Sequence, residues 1–251
     1  MDLKLRGKKV AVTGGSKGIG RAIALMFAAE GADVAICARN AGEVEAGVKA
    51  LKAKGVKAFG RSLDVADGAA LKSWVEEAAR VLGGLDCLVC NVSALAVGNS
   101  PETWENSFRI DMMHTVNAVA AALPSLEAST SASICLISSV SGIEVDFAAG
   151  SYGAMKAALI HYSKGLSHQL TPKGIRVNVV SPGNTYFEGG IWQNIERGMP
   201  DLYNSALALN PTGRMGTAEE VAAGVVFLAS PMASRISGTN LIIDGALTKA
   251  V

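Results

Sequence analysis

Tyr152 and Lys156 are the residues of this sequence whose types and spacing speak most directly of chemistry. They lie four apart in Ser151-Tyr152-Gly153-Ala154-Met155-Lys156-Ala157, so on a helix they share one face. A phenol titrates at a pH of about 10, too high for a base at neutral pH. A neighbouring ammonium favours the phenolate, each tenfold gain in ionisation being worth about 1.4 kcal/mol, and so brings a tyrosine toward general acid–base work. Many surface helices carry such a pair; its setting gives this one weight. Ser138 and Ser139 close the apolar run in ICLISSVSG just upstream. Ligands of doubly wound folds bind at the carboxyl ends of strands, which puts a serine hydroxyl where a substrate carbonyl would sit.

A second constellation opens the chain. The apolar run Lys9–Thr13 leads into Gly14-Gly15-Ser16-Lys17-Gly18-Ile19-Gly20, and a helical pattern follows. Glycines let the backbone turn sharply and approach a pyrophosphate, and a helix N-terminus supplies unpaired amides and a positive dipole end. The spacing is G-x-x-x-G-x-G, at Gly14, Gly18 and Gly20, rather than the commoner G-x-G-x-x-G. The end of the second strand decides which dinucleotide fits. An acid there would bond the ribose 2′-hydroxyl of NAD, whereas an Arg would take the 2′-phosphate of NADP. The sequence reads Ala38-Arg39-Asn40, with no carboxylate, and Lys17 adds a second cation. An Arg fork matches a phosphate bidentately, so NADP(H) is the expected cofactor. Asp64 and Val65 follow the third strand, where a carboxylate meets an adenine amino group.

These residues need a scaffold that presents strand ends side by side. Seven short runs read as strands: Lys9–Thr13, Asp33–Ala38, Val56–Arg61, Asp86–Cys90, Ser133–Ser138, Arg176–Ser181 and Asn240–Asp244. Helical patterns lie between them at Ile19–Glu30, Ala41–Lys54, Gly68–Leu82, Pro101–Leu126, Ser151–Leu170 and Ala218–Ser230. Most strand runs are continuously apolar, as strands buried on both faces are. Repeated βα units then imply right-handed crossovers. The expectation is an α/β chain forming a single Rossmann-type doubly wound domain over 1–251: a seven-stranded parallel sheet flanked by helices on both faces. The stretch 183–216 is irregular, with scattered aromatics and a weak helical pattern, and is expected to be a substrate-binding lid.

Composition narrows the function classes. Hydrophobic residues make up 49% and charged residues 18%, which is globular and argues against disorder. Lys+Arg is 23 and Asp+Glu is 22, a net charge of 23 − 22 = +1, so neither a nucleic-acid groove nor a polybasic membrane face is expected. No apolar run approaches the ~18 residues that span a bilayer. MDLKLRGKKV carries charges where a secretory signal needs its apolar stretch, so a cytoplasmic enzyme is expected. Cys87 and Cys90 form a C-x-x-C, yet on a buried strand residues three apart point to opposite faces, so core packing is expected for them and for Cys37 and Cys135. His114, His161 and His168 form no ligand-like cluster and are expected to be packed or solvent-facing helix residues; no metal is expected.

Taken in order, Thr13–Gly20, Ser139, Tyr152 with Lys156, and Pro182-Gly183 after the sixth strand resemble the short-chain dehydrogenase/reductase family over nearly the whole chain. The C-terminal runs Asn210–Gly216 and Ser237–Gly245 are similar to those of 3-oxoacyl-(acyl carrier protein) reductase-like members. The resemblance implies that Tyr152 exchanges a proton with the substrate oxygen, that Lys156 lowers the Tyr152 pKa and holds the nicotinamide ribose, and that Ser139 bonds the substrate oxygen. It implies cofactor contacts from Gly14, Ser16, Lys17, Gly18, Ile19, Gly20, Asn91, Tyr152, Lys156, Pro182, Gly183 and Thr185 beside Arg39, Asp64 and Val65. It also implies a homotetramer, to which the widely apolar helices Pro101–Leu126 and Ser151–Leu170 add their own support. Two positions depart from the family pattern. The usual Asn-Asn-Ala-Gly after the fourth strand reads Cys90-Asn91-Val92-Ser93, and the relay Asn of the following helix is replaced by Asp111. A carboxylate there can accept hydrogen bonds and pair with Lys156 as a fourth member of the site, and it can also weaken the lysine's effect on Tyr152. The expected activity is interconversion of a ketone and a secondary alcohol on a small molecule with a hydrophobic body, since 183–216 carries Tyr186, Phe187, Ile191, Trp192, Met199, Leu202 and Tyr203. The alternatives are 3-oxoacyl-(acyl carrier protein) reduction and, in a different class, a non-catalytic NADP-binding regulator.

Overall fold

A computed structural model describes residues 2–249. The strands are β1 Lys9–Thr13, β2 Asp33–Ala38, β3 Ala58–Ser62, β4 Cys87–Cys90, β5 Ser133–Ile137, β6 Arg176–Pro182 and, after a short pair, β9 Asn240–Ile243. They form one seven-stranded sheet in the order β3-β2-β1-β4-β5-β6-β9, with every pairing parallel. The strand order reverses between β1 and β4, and that is where a doubly wound sheet opens its ligand crevice.

Both faces of the sheet are covered, which is why the strands read as unbroken apolar runs. Alternate residues feed opposite cores: Ala11 packs with Leu71, Trp74 and Leu126, whereas Val10 and Val12 pack with Ile23, Phe27 and Val225. One face carries α3 Gly68–Leu82, α5 His114–Glu127 and α6 Ser151–Leu170; the other carries α1 Gly18–Ala29, α2 Ala41–Lys52 and α9 Ala218–Ala229. The same alternation settles the cysteines. Cys37 and Cys90 belong to the first core, Cys87 and Cys135 to the second, all four free and buried. Burial pushes the Cys37 and Cys87 thiols up to about 12, so they behave as small apolar side chains.

Three expectations need correction. The third strand starts at Ala58 rather than Val56, because the chain is still leaving a turn at Gly55 (φ +81°) and the Lys57 amide bonds the Asp33 side chain. The single helix expected over Pro101–Leu126 is three pieces: α4 Pro101–Ser107, a π-helical turn Phe108–Met113, and α5. Finally, 183–216 is more ordered than its pattern implied. It holds α7 Ile191–Gly198 and α8 Pro200–Ala208 around a small core of Trp192, Ile195, Ala206 and Met215. β7 Thr185–Tyr186 pairs parallel with β8 Gly216–Thr217 and closes the excursion at its base.

Candidate active site

Helix α6, which carries Tyr152 and Lys156, meets the exit of β5 at contact distance because two glycines permit it. A Cβ on Gly142 would stand 2.6 Å from the Lys156 carbonyl carbon, and one on Gly153 would stand 2.8 Å from the Ser141 oxygen. The turn Val140–Gly142, which directly follows Ser139, is therefore pressed onto the turn of α6 between Tyr152 and Lys156. Ser138 locks the arrangement by donating to the Lys156 carbonyl at 2.8 Å. The Lys156 ammonium is buried, donates to Ile137 O at 3.1 Å and stands 5.6 Å from the centre of the half-buried Tyr152 ring. Ser139 sits at the strand exit and accepts the Ser141 amide at 3.2 Å. The Ser141 hydroxyl donates to Asp146 at 2.6 Å, a neighbour with no signal in the sequence.

Asp111 lies across from the lysine, fully buried, with Oδ1 3.1 Å from Lys156 Nζ. The approach is off the hydrogen-bond axis, so this oxygen has an ionic partner but no aligned donor, while Oδ2 accepts the Ala94 amide at 3.2 Å. The structure thus pairs Asp111 with Lys156. The π turn makes it possible. Widening one turn changes the register of the helix, and such bulges gather at functional sites. Here it turns Asp111 toward α6 and leaves His114 facing β1.

His114 is buried and bonded at both nitrogens. Its backbone amide bonds Arg109 O, five residues back, and its ring Nδ1 reaches Ile110 O at 3.1 Å. A carbonyl only accepts, so Nδ1 carries the proton and Nε2 accepts the Thr13 hydroxyl at 3.0 Å. Thr13 in turn accepts the Asn91 amide at 3.0 Å. This chain of bonds ties the ends of β1 and β4 to the helix that holds Asp111. Burial pushes the imidazole down to about 4, which keeps it neutral. His161 and His168 are exposed on α6. Nothing in the spacing marked His114; its only signal is its position three residues beyond Asp111.

The glycine turn fits a dinucleotide. Gly14 and Gly18 have positive φ of 68° and 54°, and a Cβ on Gly20 would collide with the Gly14 carbonyl. The turn is laid against β2 by Gly14 N–H donating to Cys37 O at 2.8 Å, two residues before exposed Arg39; in the turn Ser16 is buried and Lys17 exposed. Among the described residues neither cation is in an ion pair. Ile19 is half-buried in the first turn of α1, and Asn91 bonds Thr13 O at 3.1 Å across the switch point. Asp64 is exposed, with Oδ1 accepting Ala66 N–H, and Val65 is buried beneath it in the core. Pro182 and Gly183 end β6, and the Thr185 hydroxyl turns back to Gly183 O at 3.0 Å. The segment after β6 reaches the glycine turn: a Cβ on Gly18 would stand 2.6 Å from the Phe187 ring. On its other flank Trp192 meets Phe147 edge-on at 5.3 Å. Among the described residues no group of three His, Cys, Asp or Glu side chains converges as a metal site requires, and no helix is long and apolar enough to cross a membrane.

With this geometry in hand, the comparisons with known proteins fall into one group. The family model described as enoyl-(acyl carrier protein) reductase matches residues 14–248. The chain is 40% identical over 247 residues to isoepoxydon dehydrogenase patN of Penicillium expansum, covering 97% of this chain and 95% of that one. It is 32% identical over 246 residues to 3-oxoacyl-[acyl-carrier-protein] reductase FabG of Staphylococcus aureus, covering 96% and 98%. Among solved structures it is similar to a short-chain dehydrogenase from Burkholderia cenocepacia in complex with NADP, with TM-score 0.90, 34% identity, and 97% and 99% of the two chains covered.

Proposed function

The chain belongs to the short-chain dehydrogenase/reductase family, and from that premise we propose that it interconverts a ketone and a secondary alcohol with NADP(H), on a substrate with a hydrophobic body. The observation that carries the reading is the Tyr152–Lys156–Asp111 alignment against the Ser139 turn. The nicotinamide, when bound, supplies or removes a hydride at the carbinol carbon. Tyr152 gives its phenolic proton to the carbonyl oxygen in reduction and takes the alcohol proton in oxidation. Ser139 donates a hydrogen bond to that oxygen. Lys156 keeps positive charge under the phenol, and Asp111 fixes the ammonium so that it cannot swing away. Gly14, Ser16, Lys17, Gly18, Ile19, Gly20, Arg39, Asp64, Asn91, Pro182, Gly183 and Thr185 are the proposed cofactor contacts, with Val65 supporting Asp64 from the core. The NADP complex of the Burkholderia relative supports the choice of dinucleotide, as do the two unpaired cations at the adenosine end. A side chain set of this completeness argues against a regulator that has lost its chemistry.

The lid supports the apolar substrate. Trp192 packs over Phe147, and Ile191, Met199, Leu95 and Val145 are exposed on the lid and on the loops that follow β4 and β5. Apolar walls exclude water from the reacting carbonyl and reward an apolar substituent. Reduction of 3-oxoacyl carrier substrates is the second reading, favoured by the Staphylococcus relative. In either case a homotetramer is proposed, with exposed Trp104 and Phe108 of the α4 flank inside a contact. NADPH oxidation with matched ketones of rising apolar size and with a 3-oxoacyl thioester, and NADP+ reduction with isoepoxydon, test the reading. The expected result is kcat/KM rising with apolar size, and a flat trend in Trp192→Ala. Preference for small polar ketones, or a trend indifferent to Trp192, would overturn it.

A further inference from the structure

The adenosine end of the crevice contains one charged group that the proposed function leaves unused. Glu43 lies in the first turn of α2, half-buried, its amide held by the Asn40 side chain at 3.0 Å. Its Oε2 accepts the hydroxyl of Ser16 at 3.1 Å. Ser16 is buried in the glycine turn, and that turn is bonded to the end of β2, from which Arg39 and Asn40 emerge. The chain segments that carry two exposed cations, Lys17 and Arg39, and this carboxylate therefore meet at one corner of the fold. The carboxylate is fixed at both ends, by the helix cap on its backbone and by the serine on its side chain.

These groups respond oppositely to the two dinucleotides. A 2′-phosphate is drawn by Lys17 and Arg39, but the carboxylate repels it and competes for the single Ser16 proton. A ribose 2′-hydroxyl is a donor, and a carboxylate accepts from it. We propose that Glu43 is a specificity-determining residue that restrains the preference for NADP(H) and gives NAD(H) a foothold, so that discrimination is a balance between Arg39 with Lys17 on one side and Glu43 on the other. The proposal rests on the reading of the crevice as a nicotinamide dinucleotide site.

Titration of the purified protein with NADPH and with NADH, followed by nicotinamide fluorescence or calorimetry, reads the effect without turnover. Glu43→Gln keeps an acceptor for Ser16 and removes the charge; its melting temperature establishes that it folds. The expected result is NADPH binding about tenfold tighter, with NADH binding unchanged or weaker. Equal shifts for both cofactors, no shift, or weaker NADPH binding would overturn the role of Glu43. A wild type that prefers NADH would contradict the NADP(H) reading alone, because the ratio measured in Glu43→Gln would still move toward NADPH. Failure of both cofactors to bind wild type would contradict the dinucleotide site itself, and the proposal with it.

Discussion

The two ends of the crevice handle charge in opposite ways. At the proposed catalytic end Lys156 and Asp111 are both buried and form an ion pair beside Ile137, Ala94 and the β5 turn. At the adenosine end Lys17 and Arg39 stand in solvent with no ion-pair partner among the described residues. A buried charge is worth most when its partner is fixed, and losing that partner is costly. An exposed charge is screened and acts mainly on what arrives. Substitutions at the first end should therefore reach folding and chemistry together, and those at the second should reach affinity and selectivity alone.

The sharpest break of this comparison is Lys156→Met. It strands Asp111 as an uncompensated buried carboxylate, and breaking a buried pair from one side costs about 3–5 kcal/mol. Denaturant unfolding should show that loss, and adding Asp111→Leu should recover a good part of it without restoring activity. An equally stable single variant would mean that water already reaches the pair.

His114 gives the next largest effect, through pH. Its folded value of about 4 lies below the ordinary histidine value of 6.5, so below pH 6.5 the unfolded chain binds more protons than the folded one. Stability should be complete above pH 6.5 and fall as the pH drops to about 4, on the order of 3 kcal/mol in all. Melting temperatures of wild type and His114→Gln across that window check this; a His114→Gln profile as steep as the wild type would assign the acid loss to other groups.

At the exposed end the effect is smaller and cofactor-specific. Arg39→Asp should weaken NADPH binding roughly 10- to 100-fold while improving NADH, with no change in unfolding midpoint. Raised salt should shrink the wild-type preference for NADPH. A drop in stability comparable to that of Lys156→Met would erase the distinction between the two ends.

Much of the molecule is legible in its sequence because it repeats a backbone pattern. Continuous apolar runs such as Val10–Val12 mark strands covered on both faces, and Gly14 to Gly20 mark a turn that only glycine tolerates at positive φ. Cys87 and Cys90 are separable by strand alternation alone. The parts that escape such reading depend on partners far along the chain. The π turn at Phe108–Met113 has no local composition that announces it; it persists because Asp111 pairs with Lys156 and His114 with Thr13. The helices α7 and α8 are obscured because their apolar residues serve a small core of their own rather than the main sheet. Glu43 looks like an ordinary helix charge until the fold sets it against Ser16.

The proposed activity depends on the phenol of Tyr152 moving the proton while the glycine turn separately holds the cofactor. Tyr152→Phe removes one oxygen from a half-buried site and leaves the turn intact. NADPH affinity and NADPH-dependent ketone reduction should be measured on the same preparation of this variant. The expected result is an unchanged dissociation constant with turnover reduced by about 10²–10⁴-fold or more. Near-normal turnover with intact binding would contradict it.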